Sequence, residues 1–445
     1  MQLSAEEREA RKRKRKRQER IFYAVFFAVC IIILIGIFFG VRGLVRLFTG
    51  KDGDVSSPPS ITETVTPENA VLEADLLAAG YDYDRAIEKI KGIEGYAENP
   101  VLAEAVAKYE NAKSTLVPAN LSEIPHVFFH TLIKDNQKAF DGDYKEAGYN
   151  QYMTTISEFN KMLEEMYKRG YVLVNLSDIA KPVVGADGIE KMETGQILLP
   201  PGKKPFVMSQ DDVSYYQYMT GDGFASRLVI GEDGYPTCEY VEADGTVTRG
   251  SYDLVPLLED FVKAHPDFSY RGARATLAIT GYDGVLGYRT CPTGEGYNEA
   301  EIEKARAVAD RMRELGWVFA SHSWGHRLYG SISAEDLRTD AQKWDAEVKP
   351  ILGETNVIIY AHGEDIAGIE DYAGEKYEIL RSFGFRYFCN VDAHDYWVQI
   401  RDGYVRQGRR NLDGYRMYYN PEMLDDLFVV SDVWDNGRPT PVPPI

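Results

Sequence analysis

GWVFASHSWGHRLY, residues Gly316 to Tyr329, is the stretch on which the reading of the chain turns. Trp317 to Ala320 is a short uninterrupted apolar run, the pattern of a strand buried on both faces. Directly after it, His322 and His326 are spaced i and i+4. One turn beyond the strand, two imidazoles at that spacing can share a face and grip one cation. The chain has 7 His among 445 residues, so a chance pair at this spacing is improbable. A metal of this type takes a third protein ligand and keeps an open position for water.

Working outward, apolar runs alternate with helical patterns. Ile124 to His130, Tyr171 to Val174, Phe206 to Met208, Ala275 to Ile279, Asn356 to Tyr360 and Phe385 to Phe388 read as strands. Thr155 to Arg169, Glu299 to Leu315, Glu335 to Val348 and Tyr372 to Ser382 carry helical periodicity. This alternation predicts an α/β fold with a parallel sheet, open or rolled into a barrel, and chemistry at the C-terminal ends of the strands. Acids and imidazoles recur there: Asp211-Asp212 after Met208, the His pair after Ala320, His362 after Tyr360, and Asp392 onward after Phe388. One Asp and two His make a plausible ligand set for Zn²⁺ or a similar divalent ion. A neighbouring Asp could take the proton of a water. His126 and His130 flank an early strand and read as structural, with His130 able to reach the mouth of a site. Residues 228–252 break the alternation and read as a hairpin insertion with an Asp-Gly turn.

The order and spacing of these elements resemble the polysaccharide deacetylase family (NodB-homology, carbohydrate esterase family 4), over about Leu121 to Gly437. The resemblance implies a distorted (β/α) barrel that hydrolyses N-acetyl groups of N-acetylglucosamine polymers or peptidoglycan with one divalent metal, Zn²⁺ first and Co²⁺ or another ion as alternatives. Ser209-Gln210-Asp211-Asp212 corresponds to the family's first motif, implying Asp211 as base and Asp212 as metal ligand. His322-Ser323-Trp324-Gly325-His326 matches the second in full, implying both His as ligands. Trp397 corresponds to a wall of the sugar groove. Two elements depart from the pattern. The motif that carries a base-positioning Arg reads Tyr360-Ala361-His362-Gly363 here, and the Leu-x-His that supplies an acid has no counterpart; Val405 to Asn411 falls at its place. His362 is the substitute acid suggested by this reading. A catalytically degenerate glycan-binding or wall-assembly protein is the alternative.

The N-terminal part has its own logic. Arg11 to Arg17 is a basic block, followed by the uncharged run Ile21 to Phe39. About 20 apolar residues span a bilayer core of roughly 30 Å. The expectation is a cytoplasmic tail (1–20), a transmembrane signal-anchor helix (21–41), a linker (42–66), a small helical stalk with weak tetratricopeptide character (67–117) and the catalytic domain (121–437). This places a single-pass protein at the cell membrane, its catalytic domain extracellular, with the lipid bilayer and an N-acetylated glycan as partners. Partners of the stalk are not legible. The net charge of −19 despite the basic tail argues against nucleic acid as a partner. Cys238, Cys291 and Cys389 are too few and odd in number for a disulfide framework, and read as buried thiols.

Overall fold

Seven short strands pair in parallel and close on themselves, six of them apolar runs buried within the fold. They are β1 (His126–Phe129), β2 (Lys204–Gln210), β3 (Thr276–Ile279), β4 (Val318–Ser321), β5 (Val357–Ile359), β6 (Tyr387–Val391) and β7 (Tyr404–Asn411). Around the barrel the order is β3-β4-β5-β6-β7-β1-β2, and β2 returns to β3 with Ser209 opposite Thr276 and Gln210 opposite Leu277. Every neighbouring pair in the ring is parallel. All the C-terminal ends therefore open at one rim. This computed structural model describes residues 66–392 and 395–445.

Helices cover the outside. The helix Ile156–Lys168 starts on a capping box in which Thr155 and Glu158 satisfy one another's backbone N–H groups, and it buries Phe159, Met162, Leu163 and Met166. Glu299–Glu314 and Ala334–Glu347 turn Ala305, Val308, Met312, Leu337 and Trp344 inward in the same way. The insertion forms a three-stranded antiparallel sheet, Arg227–Ile230, Pro236–Val241 and Val247–Gly250. Gly245 takes a φ of 83° in its Asp-Gly turn, a value that favours glycine. All three described cysteines are buried free thiols.

β7 is the strand that hydrophobic periodicity does not reveal. It reads YVRQGRRN, yet seven of its eight residues are buried. Its three arginines reach carboxylates, carbonyl oxygens and ring faces, which is how so polar a segment occupies a barrel wall.

At the other end of the described chain, α1 (Pro67–Ala79), α2 (Tyr83–Lys91) and α3 (Pro100–Ser114) share a small core of Ala70, Ala74, Ala78, Ile90, Leu102, Val106 and Tyr109. Thr66 and Asn99 cap the first and third, each followed by Pro at the first helical position. The helices rest on the barrel unit: the Tyr81 hydroxyl donates to the Asp267 carbonyl at 2.9 Å, and the Arg271 N–H donates to the Gly80 carbonyl at 2.7 Å.

The expected tail and span, 1–41, and the linker up to residue 65 lie outside the described residues. The single-pass membrane placement is corrected: among the described residues no helix is long and apolar enough to cross a membrane. The longest, Glu299–Glu314, has 16 residues and is charged along its length, whereas a span needs about 20 predominantly apolar ones.

Candidate metal centre

The site is built where β2 and β4 end. Beyond Gln210 the Asp211 N–H still donates to the Phe129 carbonyl at 2.8 Å, so the first acid is held in strand register with β1. Asp212 then turns sharply, at φ 61°. Beyond Ser321 the His322 N–H donates to the Ile279 carbonyl of β3 at 3.0 Å. His322 Nδ1 lies 2.8 Å from the Ile359 carbonyl oxygen. A carbonyl can only accept, so Nδ1 carries the proton and the Nε2 lone pair is left for a ligand.

His326 arrives by a route the spacing did not anticipate. Residues 322–328 form an irregular turn rather than a helix. Asp340, buried on the helix Ala334–Glu347, folds it by accepting from the Trp324 N–H (2.7 Å) and the Gly325 N–H (2.8 Å). His326 then sits at φ 52°, which swings its ring back over His322, 4.9 Å between centroids. Positive φ at both Asp212 and His326 is the kind of backbone strain that persists only where surrounding contacts impose it.

Asp212 Oδ1 lies 3.9 Å from His322 Nε2 and 3.7 Å from His326 Nε2. The ligand atoms of the three residues fall within 4.8 Å of one another. One carboxylate oxygen and two imidazole nitrogens, one in a fixed tautomer, fit a divalent cation of the zinc class, and the donor set does not distinguish Zn²⁺ from Co²⁺. Tyr216 braces the carboxylate by donating to Asp212 Oδ1 at 2.6 Å. Burial pushes the Asp212 carboxyl up, but His322 and His326 outweigh it, and the net shift is downward. Burial and the neighbouring His322 hold the His326 imidazole below its ordinary value, against Asp212.

Asp211 is treated differently. Its carboxylate is gripped by Arg409 of β7, Nη1 to Oδ1 at 2.7 Å and Nη2 to Oδ2 at 2.9 Å. Desolvation favours the neutral acid, yet Arg409, with a further contribution from His322, brings the carboxyl down to about 2. Arg409 is itself oriented by a buried chain. Its Nη1 also donates to Ser209 Oγ at 3.1 Å; Ser209 Oγ is 3.0 Å from His126 Nε2; and His126 Nδ1 is 3.1 Å from Gln407 Oε1. Gln407 Nε2 donates to the Ile124 carbonyl at 2.7 Å, which fixes its amide and makes Oε1 the acceptor. The direction of every bond follows: His126 donates from Nδ1, accepts the Ser209 hydroxyl at Nε2, and leaves the Ser209 oxygen for Arg409.

Asp211, Asp212, His322 and His326 line one cavity of about 510 Å³, together with His130, His362 and Asp413. His362, at φ 56°, packs against His326 with 4.3 Å between centroids and the planes tilted by 56°, and burial followed by His326 holds its imidazole below the usual range. His130 follows β1, with Nδ1 3.1 Å from the Tyr152 carbonyl oxygen. It shares the cavity wall with Asp211, Asp212 and the buried Asp413. Trp397 does not line this cavity. Its indole N–H donates to Asp392 Oδ2 at 2.7 Å and its ring lies under the Arg406 guanidinium.

No family model and no curated protein matches the chain. Among solved structures the chain is similar to the Streptococcus pyogenes deacetylase PplD in complex with acetate, with a TM-score of 0.36 and 14% identity, over 67% of this chain and 94% of that one. It is also similar to the deacetylase domain of BpsB from Bordetella bronchiseptica, with a TM-score of 0.35 and 11% identity, over 67% of this chain and 99% of that one.

Proposed function

We propose that the protein is a metal-dependent hydrolase that removes acetyl groups from N-acetylated glycan. The observation that carries this reading is the pairing, in one cavity, of the Asp212-His322-His326 donor set with a second carboxylate, Asp211, that is held out of that set by Arg409. A base kept separate from the ligands is what hydrolysis by an activated water requires. A divalent cation held by Asp212, His322 and His326 would supply a Lewis-acidic pole that acidifies water and polarises the acetamide carbonyl. Asp211 takes the proton of the attacking water, and Arg409 keeps both of its oxygens ionised and aimed. The new C–O bond forms at the carbonyl carbon, the C–N bond breaks, and the departing nitrogen must receive a proton to leave as an amine; acetate is the other product.

His130 is the donor of that proton in our reading, in place of His362. The imidazole of His362 is packed on His326 and depressed by burial and by that ring, which favours its neutral form. His130 lies among three carboxylates, with its Nδ1 at a carbonyl oxygen and its Nε2 side left for substrate. Half-exposed Tyr152 and Tyr218 on the cavity wall give a sugar ring apolar faces to lie against.

The test is acetate release from N-acetylglucosamine oligosaccharides by the full chain supplied with Zn²⁺ or Co²⁺, beside Asp212→Ala. Metal-dependent release that the substitution abolishes is the expected result. Stoichiometric metal binding with no acetate released would sink the proposal and favour a glycan-binding protein.

A further inference from the structure

A second depression, about 440 Å³, opens beside the first, and His326 belongs to the wall of both. Three stacked rings run between them. Tyr216 is sandwiched by Tyr218 (centroids 5.6 Å apart, planes at 15°) and Tyr282 (5.1 Å, 14°). Tyr216 is buried and anchored to Asp212; the outer rings, Tyr218 and Tyr282, are 53% and 37% exposed and belong to the first and second depressions respectively. A polymer with one residue over Asp211 thus meets aromatic surface on its way into the second depression.

The charges there are unlike the rest of this acidic chain. Arg327 and Lys343 line the depression, both exposed. Among the described residues neither has a carboxylate oxygen within the 4.0 Å of an ion pair. The acids nearby are already engaged. Asp340 is buried and accepts from two backbone N–H groups and the Tyr329 hydroxyl. Asp336 accepts from the Ser333 hydroxyl in the first turn of its helix, where the helix dipole offsets its charge. Glu347, the i+4 partner Lys343 would ordinarily take, accepts instead from the Trp324 indole N–H at 2.7 Å. Lys343 lies over that indole, 4.2 Å from the ring, with its ammonium left for a further partner. Two cations with no internal carboxylate, on a chain of net charge −19, form a local receptor for a negative group that the surrounding surface would repel.

We infer that this depression is a subsite for an anionic substituent, a carboxylate or a phosphate, on the sugar adjoining the one that loses its acetyl group, bound by Arg327 and Lys343. The inference rests on the deacetylase reading for what occupies the first cavity, and it narrows the substrate to an acidic N-acetylated glycan. A guanidinium beside an ammonium suits either oxyanion, the first by a two-point fork and the second as a point charge.

The experiment compares three N-acetylglucosamine oligosaccharides: neutral, bearing 3-O-lactyl carboxylates on alternate residues, and bearing 6-phosphates. Each is offered to the wild-type chain and to R327Q/K343Q, with acetate release and calorimetric binding both measured. The expected result is a preference for one or both acidic oligomers over the neutral one, falling by about tenfold in the double variant and seen in KM rather than kcat. The preference should also weaken as salt is raised. Which acidic oligomer is preferred identifies the oxyanion. Equal binding of all three by the wild type, or a preference that survives the double substitution, overturns the subsite. Binding is scored even if no acetate appears, so failure of the deacetylase reading and failure of the subsite are read separately.

Discussion

Arg409 and Asp211 face each other through two parallel hydrogen bonds, at 2.7 and 2.9 Å, with both side chains withdrawn from solvent. The guanidinium offsets a desolvation that on its own would protonate the acid, and it leaves Asp211 ionised as a base. Arg409→Met removes the offset. The carboxyl then rises, and the acid limb of the kcat/KM profile should move up by about 1–3 pH units. Stability should fall by about 3–5 kcal/mol because a buried charge loses its partner. Arg409→Lys keeps the charge but not the fork, so its limb should stay nearer wild type while kcat falls. An unmoved limb in Arg409→Met would show that Asp211 is not the titrating base.

His126 supplies a prediction about stability. Burial, followed by Arg409, holds its imidazole well below 6.5 in the folded chain, while the unfolded chain titrates normally. The unfolded state therefore binds more protons as the pH falls through 6.5. The stability associated with His126 is present above that pH and is lost below it, at up to about 1.4 kcal/mol per pH unit. His126→Asn does not titrate. At pH 8 it should be less stable than wild type by about 1–3 kcal/mol, because Ser209 or Gln407 loses a partner. The gap should narrow as the pH drops. Urea unfolding of both proteins between pH 8 and 5 decides it, and a gap that stays constant would mean that His126 takes up its proton as readily in the folded chain as in the unfolded one.

The legibility of this chain follows from which forces leave a trace in sequence. Six of the seven barrel strands are apolar runs, and the alternation with helices shows through. β7 escapes because guanidiniums satisfied by carboxylates and carbonyls do what side-chain hydrophobicity does elsewhere, and periodicity cannot register that. Arg409 was hidden with it. Its only trace is the clustering of Arg406, Arg409 and Arg410 where a strand is due. Asp212, His322 and His326 were readable as types at strand ends, but their convergence depends on Asp340 and on positive-φ turns, which sequence spacing does not encode. His130 carried the same signal as the others, an imidazole directly after an apolar strand, and the closure of β1 onto β2 brings it to the cavity.

Metal content separates the ligands from the base. His322→Ala and Asp212→Ala should each lose the bound ion, read by elemental analysis after dialysis. Asp211→Asn should keep it, because both oxygens of Asp211 are held by Arg409. The wild type should gain about 2.7 kcal/mol when Zn²⁺ is a hundredfold above its Kd, and EDTA should remove the gain. A metal-free Asp211→Asn protein would merge the two roles and require a different base.

The proton donor can be tested by changing the leaving group. Amide cleavage expels an amine that must be protonated as it leaves, so His130→Asn should lower kcat on an N-acetylated oligosaccharide by about 10²–10⁴. A 4-nitrophenyl acetate ester expels a phenolate stable without a proton, and its hydrolysis should be lowered far less by the same substitution. His362→Asn should treat the two substrates alike, since its ring is packed against His326, and burial followed by that ring holds its imidazole below the usual range. The ratio of amide to ester rates is the readout, because general damage to the site would lower both together. If the ratio collapses in His362→Asn and holds in His130→Asn, the acid belongs to β5's rim rather than β1's.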